Sequence, residues 1–385
     1  MRILLVGEYS NVHWTLAEGL RALGHEVTVV SDGDGWKDYP RDINLKRGPL
    51  NSQLSTLNYL WDLAKTFPRL RGYDVVQLIN PVFLDLRAER IWPFYRYLRC
   101  HNDHVFLGAF GIDHYWVKVG MDCKTFRYSD FNFGSQLRDY PFMQTMIADW
   151  LNGPKGTLNQ RIAEDCDGII TGLYEYEMCY RPFFPFKTRF IPFPINLSSV
   201  TPTSTINPQP SSINHKPSTI NHKPSTINLF IGIQRSRSSY KGTDVMLAAL
   251  QRLKKDYPNR LDIFKAENVP FAQYQEMMNN SHALLDQLYS YTPGMNGLLA
   301  MAKGLVLVGG GEPEHYDLLG ERVLRPIINV QPTEEDVYQQ IATRLLSGKE
   351  DIHQLQLDSI AYIRRHHDHI KVAQQYLDFW QASLT

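Results

Sequence analysis

The sequence predicts an α/β protein of two halves, each a parallel sheet covered by helices on both faces. Three observations predict it. At 385 residues the chain exceeds the usual size of one domain. Short apolar runs alternate with helical stretches in both its first and last parts, the pattern of parallel strands joined by crossover helices. Near residue 197 that alternation gives way to a stretch rich in Ser, Thr, Pro and Asn.

In chain order, Arg2–Gly7 reads as a first strand. Asn11 is placed to cap a helix carrying Leu16, Leu20 and Leu23 at helical spacing. Gly24 stops that helix, and Glu26–Val30 supplies the next strand. Asp74–Ile79, Val105–Phe110 and Gly168–Thr171 repeat the pattern. From 197 to 227 the pattern fails. Here Ile-Asn-His-Lys-Pro-Ser-Thr occurs at 213–219 and again at 220–226, a composition that buries too little apolar surface to order itself. The expectation is a disordered linker between a half at 1–196 and a half at 228–360. After it, strands are expected at Leu229–Ile233, Leu261–Phe264, Ala283–Leu288 and Leu305–Val308, with helices at Asp244–Lys254, Phe271–Met278 and Gly297–Lys303. A closing helical stretch is expected from Val337 to Trp380. Two such halves make a cleft, and open α/β sheets bind ligands beyond the carboxyl ends of their strands.

Composition narrows the function. Lysine plus arginine and aspartate plus glutamate both number 40, which argues against nucleic acid as a partner. No run approaches the ~18 apolar residues of a membrane span. The opening MRILLVGEYS reads as a strand and not as a leader, so the cytoplasm is the expected address. Four scattered cysteines lack metal or disulfide spacing, so neither a zinc site nor a disulfide framework is expected; no cofactor is expected either. His366, His367 and His369 have no partner cluster and read as a polar helix surface. Arg87–Arg99 interleaves four arginines with Trp92, Phe94 and Tyr95. It suits either a half-buried helix or peripheral contact with anionic lipid at the inner membrane face.

Three segments could carry chemistry. Gly232–Asp244 follows a strand, precedes a helix and holds Arg235, Lys241 and Gly242 among hydroxyls. Cations beside a helix N-terminus suit a diphosphate, although a solvated basic loop fits the composition equally. Tyr291–Gly304 opens a small-residue helix with Gly294, Met295, Asn296 and Gly297, whose N–H groups can face an anion; an ordinary strand-to-helix turn looks the same. Gly309–Glu314 sets glycines at a strand end before Glu312 and Glu314.

The order of these three segments resembles the donor half of the GT-B glycosyltransferases, in particular their large retaining group 1 (family 4-like) members. Arg235 and Lys241 match the family's diphosphate-holding cations, and Gly294 its sugar-side glycine. Ala300–Gly304 matches Ala-Met-Ala-x-Gly, and Gly310–Glu314 matches Gly-Gly-x-Pro-Glu. Leu20–Val27, Gly72–Val76 and Ile191-Pro192 agree in the first half. Tyr376–Trp380 looks like the last helix, so 361–385 is expected to cross back to the first domain. The resemblance implies two Rossmann-like domains facing a cleft, an acceptor side at 1–196 and a nucleotide-sugar donor side at 228–360. It implies sugar transfer to a glycan or glycolipid, with retention and without metal, the leaving diphosphate itself taking the acceptor proton.

On this reading Arg235, Lys241, Gly294, Met295, Asn296, Gly297 and Glu314 hold the donor. Asp113, His114 and His13 are the first-half polar candidates for catalysis. Two departures stand out. The family's paired glutamates fall at Tyr291 and Leu299, and its histidine before Gly-Ser-Asp falls at Phe110. A non-catalytic GT-B-like protein that binds a glycan or a partner is therefore the alternative.

Overall fold

The computed structural model describes residues 1–48, 53–206, 226–348 and 350–383. It divides into two compact units. One comprises Met1–Phe126, Pro141–Asn196 and His367–Thr385; the other comprises Arg127–Tyr140 and Leu197–His366.

The first unit is built on a parallel sheet. Its strands begin with β1 (Arg2–Val6), β2 (Glu26–Ser31), β3 (Ile43–Asn44), β4 (Val75–Leu78) and β5 (His104–Ala109). After β5 the chain passes to the second unit for a hairpin, β6 (Asn132–Phe133) and β7 (Gln136–Leu137), then returns to add β8 (Gly168–Thr171) and β9 (Thr188–Phe190). The sheet order is β3-β2-β1-β4-β5-β8-β9. Leu4, Leu5, Val75, Val76, Phe106, Leu107, Ile169 and Ile170 are buried along its centre, as a sheet covered on both faces requires. The order reverses beside β1, so the ends of β1 and β4 form the switch point of this sheet.

Helix α1 (Val12–Ala22) follows β1 and turns Val12, Leu16 and Leu20 inward. Asn11 does not cap it as expected: it sits in the left-handed region, and its side chain bonds Thr15 instead. The cap is Glu8, whose carboxylate accepts from the N–H of His13 and of Trp14.

The closing stretch is not one helix. After α2 (Gln53–Thr66) to α12 (Pro313–Leu319), which are placed below as needed, it breaks into α13 (Glu334–Ile341), α14 (Ile352–His366) and α15 (His369–Ser383). Gly348 takes φ +72 before α14. The Asp368 carboxylate accepts from the N–H groups of Ile370 and Lys371, starting α15 afresh. The last helix belongs to the first unit and begins nearer 367 than 361. There it packs on α1, where a Cβ at Gly19 would strike the His369 carbonyl.

The second unit carries β10 (Ile227–Ile233), β11 (Leu261–Glu267), β12 (Ala283–Asp286), β13 (Val306–Gly309) and β14 (Ile328–Asn329). All pair in parallel, in the order β11-β10-β12-β13-β14. Leu229, Ile231, Leu285, Val306 and Val308 meet Met246, Leu250 and Leu253 from α9 (Thr243–Asp256) in one buried cluster. The start of the expected linker packs here, with Thr203 N–H bonded to the Lys303 carbonyl. The repeat at 213–226 lies, apart from Thr226, outside the described residues. Among the described residues no helix is long and apolar enough to cross a membrane.

Candidate functional site

In the second sheet β10, β12 and β13 are neighbours and run in parallel, so the three sequence segments that follow them emerge side by side. Backbone contacts join them. Leu288 N–H donates to the Lys241 carbonyl at 2.9 Å, and Glu312 N–H donates to the Tyr291 carbonyl at 3.2 Å. Glycine makes this closeness feasible. Gly242 has φ +72, and a Cβ there would sit 2.6 Å from Leu288 Cβ; one at Gly310 would run into the Ser290 carbonyl oxygen.

The first segment forms a 3-10 turn, Arg235–Arg237, then the single turn α8 (Ser238–Lys241). Gly242 links it to the N-terminus of α9, where the amides of Thr243, Asp244 and Val245 precede the first intrahelical bond, from Met246 N–H to the Gly242 carbonyl at 3.1 Å. Arg235 lies mostly in solvent and pairs with Glu267 at the end of β11, which holds the Glu267 carboxylate below its usual range. Lys241 is half-buried. Its charge acts on Asp286, the last residue of β12. Burial raises the Asp286 carboxyl, and Lys241, Asn296 and the Gly297 N–H draw it back down.

The second segment leads into α11 (Met295–Lys303), with Gly294 at its N-cap. Here the structure adds what the sequence did not disclose. The Gly297 N–H and the Asn296 side chain both lie beside the Asp286 carboxyl and favour its charged form, and Asp286 Oδ2 has no hydrogen-bond partner. Tyr274 OH donates to Asn296 Oδ1 at 2.9 Å and fixes that amide. Asp286 closes an apolar strand run, and that position was its one signal in the sequence.

The third segment starts α12. Glu312 is buried and accepts from Gln331 Nε2 at 2.8 Å, from Arg127 Nη2 at 2.7 Å and from Tyr128 OH. Glu314 is partly exposed and pairs with Arg127, which holds its pKa down. Arg127 also lies over the Tyr291 ring, 4.9 Å from its centroid, and Arg127 N–H donates to Tyr291 OH at 2.8 Å. The position where the resemblance has a glutamate thus carries a tyrosine under an arginine. Leu299 is half-buried within α11.

The donor candidates Arg235, Lys241, Gly294, Met295, Asn296, Gly297 and Glu314 therefore share one sheet edge. The other three lie in the first unit. Asp113 is fully buried and caps α4 (His114–Gly120): it accepts from Trp116 N–H at 2.9 Å and from Tyr180 OH at 2.7 Å, and burial lifts its pKa to about 7. His114 is held on both ring nitrogens, Nδ1 by the Trp150 carbonyl and Nε2 by Gln160. His13 is buried beside Phe110, with Nδ1 on the Gly7 carbonyl and Nε2 without a partner; burial depresses its pKa to about 3.

No model of a known protein family matches the sequence, and no curated protein matches it. Solved structures do. The chain superposes on a sucrose-phosphate synthase from Thermosynechococcus elongatus with a TM-score of 0.61 at 13% identity, covering 99% of each chain. The catalytic domain of starch synthase IV from Arabidopsis thaliana, bound to ADP and acarbose, gives 0.60 at 10% identity over 100% of this chain and 99% of that one. Anabaena HepE, in complex with UDP-glucose, gives 0.58 at 12% identity over 99% and 100%.

The fold is that of the GT-B glycosyltransferases.

Within this GT-B chain the basic aromatic stretch has a local use. Arg96 and Arg99 pair with Asp165, Arg99 also with Asp167, and Arg161 stacks over Trp92, so much of its charge is spent inside the first unit. His366 bonds Glu321, and His367 bonds the Phe193 carbonyl.

Proposed function

We propose that this chain transfers a sugar from a nucleotide-diphosphate sugar to a glycan or lipid-linked glycan acceptor, with retention at the anomeric carbon and without a metal. The observation that carries the reading is the convergence of three strand-end segments, one bearing Lys241 and Arg235, at the N-termini of α9 and α11. Helix N-termini and fixed cations together favour a diphosphate. HepE was solved with UDP-glucose and starch synthase IV with ADP and acarbose, which supports a nucleotide sugar as donor and a glycan as acceptor.

On this reading Lys241 and Arg235 neutralise the leaving diphosphate, and the Gly294, Met295 and Asn296 amides face its β-phosphate and the sugar. Glu314, steadied by Arg127, orients a sugar or ribose hydroxyl. The acceptor oxygen bonds C1 on the face from which the diphosphate departs, and its proton passes to the departing phosphate oxygen. That route needs preorganised positive charge and no carboxylate at Tyr291. Asp113 and His114 then serve as scaffold for the acceptor side. His13, neutral and with Nε2 unpartnered, is the remaining first-half candidate for bonding an acceptor hydroxyl.

Titrating UDP, ADP and GDP while following thermal unfolding tests the reading. One of them is expected to stabilise the protein by about 2.7 kcal/mol at a hundred times its dissociation constant, and the matching nucleotide sugar to be consumed when acceptor is added. Stabilisation by a glycan with no response to any nucleotide would select a non-catalytic binder instead, a reading favoured by the tyrosine and leucine at 291 and 299.

A further inference from the structure

The hairpin segment Arg127–Tyr140 sits between two stretches of the first unit in sequence, yet it packs within the second unit and reaches all three segments of the candidate donor site. Arg127 and Tyr128 take the 312–314 carboxylates and Tyr291. At its other end Arg138 takes the turn that carries Lys241. The Arg138 guanidinium donates to the Ser239 carbonyl and, at 3.3 Å, to the Tyr240 carbonyl. Its remaining contacts tie it to its own hairpin, through the carbonyls of Ser129 at 3.2 Å and Asp130 at 3.0 Å. Its guanidinium carbon lies over the Tyr289 ring, 3.3 Å from the centroid. Tyr240 returns the grip, its OH donating to Asp130 Oδ2 at 2.6 Å.

These contacts have a specific target. α8 is one turn long, and the last carbonyls of any helix lack intrahelical donors; a basic side chain at a helix C-terminus commonly supplies them. Arg138 does so for the two residues directly before Lys241. The turn is also pinned by Leu288 N–H on the Lys241 carbonyl and by the close approach of Gly242 to Leu288 and Tyr289, the ring that Arg138 covers. The planar fork of arginine, over an aromatic ring and donating to two carbonyls of the α8 turn and two of its own hairpin, is a geometry that lysine cannot reproduce.

We propose that Arg138 is a positioning residue of the donor site: it touches no substrate and acts by holding the α8 turn so that Lys241 meets the diphosphate. The proposal rests on the donor-site reading above. Its test is a double-mutant cycle on binding of UDP, ADP and GDP, each titrated calorimetrically against the full-length protein, K241A, R138A and K241A/R138A. R138A is expected to weaken the nucleotide that binds by about tenfold, equivalent to about 1.4 kcal/mol, and to add nothing further in the K241A background. Exchange of the Gly242 amide, which closes the turn onto Ser238, should quicken in R138A.

R138K guards against misfolding, since it keeps the charge; it should reproduce most of the binding loss at an unchanged melting temperature. Full additivity of the two losses, or an R138A protein that binds as tightly as the parent while K241A does not, overturns the proposal. If no diphosphate binds the parent, or K241A binds unchanged, the donor-site reading itself fails and the role of Arg138 falls with it.

Discussion

Both sheets end in polar side chains, but the two ends use them differently. Beyond β1 and β5 of the first unit, Glu8, His13 and Asp113 are fully buried and bonded to backbone or to neighbouring side chains. Burial moves each toward its neutral form: Glu8 up to about 8, Asp113 up to about 7 and His13 down to about 3. Beyond β10, β12 and β13 of the second unit Asp286 and Glu312 are buried too, but Arg235 and Glu314, with Arg127 of the hairpin segment, stay partly or largely in solvent and hold their charges in ion pairs. A buried neutral group chiefly caps and packs. A solvated charge in an exchangeable pair can be handed to a ligand at small cost, because such pairs are weak. Strand-end location alone therefore does not separate scaffold from site; burial and charge state do.

The largest expected effect lies on the exchangeable side. Lys241→Ala should lower nucleotide-sugar turnover on the order of 10²–10³-fold, the usual cost of losing one preorganised charge at a developing anion. Lys241 is half-exposed and its truncation leaves no buried cavity, so the melting temperature should hold. A lowered melting temperature with intact turnover would reverse the two regions' roles. On the buried side Asp113→Ala should do the opposite. It removes the α4 cap and the shorter of the two acceptors of Tyr180 OH, which keeps Asn159, costing about 2 kcal/mol of stability by unfolding in denaturant. Loss of turnover without loss of stability would return Asp113 to the chemistry.

Much of this was legible in the sequence because it is local. Apolar runs marked the strands, and Gly242, Gly294 and the 309–311 glycines marked where the donor loops must turn or touch. Glu8 was missed because Asn11 has the better capping propensity; the tertiary fold lets a carboxylate three residues earlier reach the same amides. Arg127, Tyr128 and Arg138 were missed for another reason. Their partners lie roughly a hundred to two hundred residues away, and no periodicity or spacing encodes a contact at that separation. The site's cations could be read from one segment, but the residues that hold them could not.

Glu8 gives a subtler test of the buried side. Its folded pKa is raised, so its contribution to stability is fully present below pH about 4.5 and is lost as pH rises through about 8. Comparing Glu8→Gln with the parent isolates it: the parent should lose ~1–2 kcal/mol relative to the variant between pH 5 and 7, against a ceiling of about 1.4 kcal/mol per pH unit. Parallel pH profiles would mean that Glu8 is ionised in the folded protein and belongs with the solvated groups.

The smallest effect is expected at Arg235. It is 80% exposed and shares Glu267 with Lys265, so Arg235→Ala should leave the melting temperature unmoved and weaken diphosphate binding only severalfold. That loss should shrink as salt rises, since an exposed charge acts through a screened field, whereas the loss from Lys241→Ala should persist. If both losses vanished together in high salt, Lys241 would be one more surface charge, and the contrast between a solvated cation and a positioned one would not hold within the site.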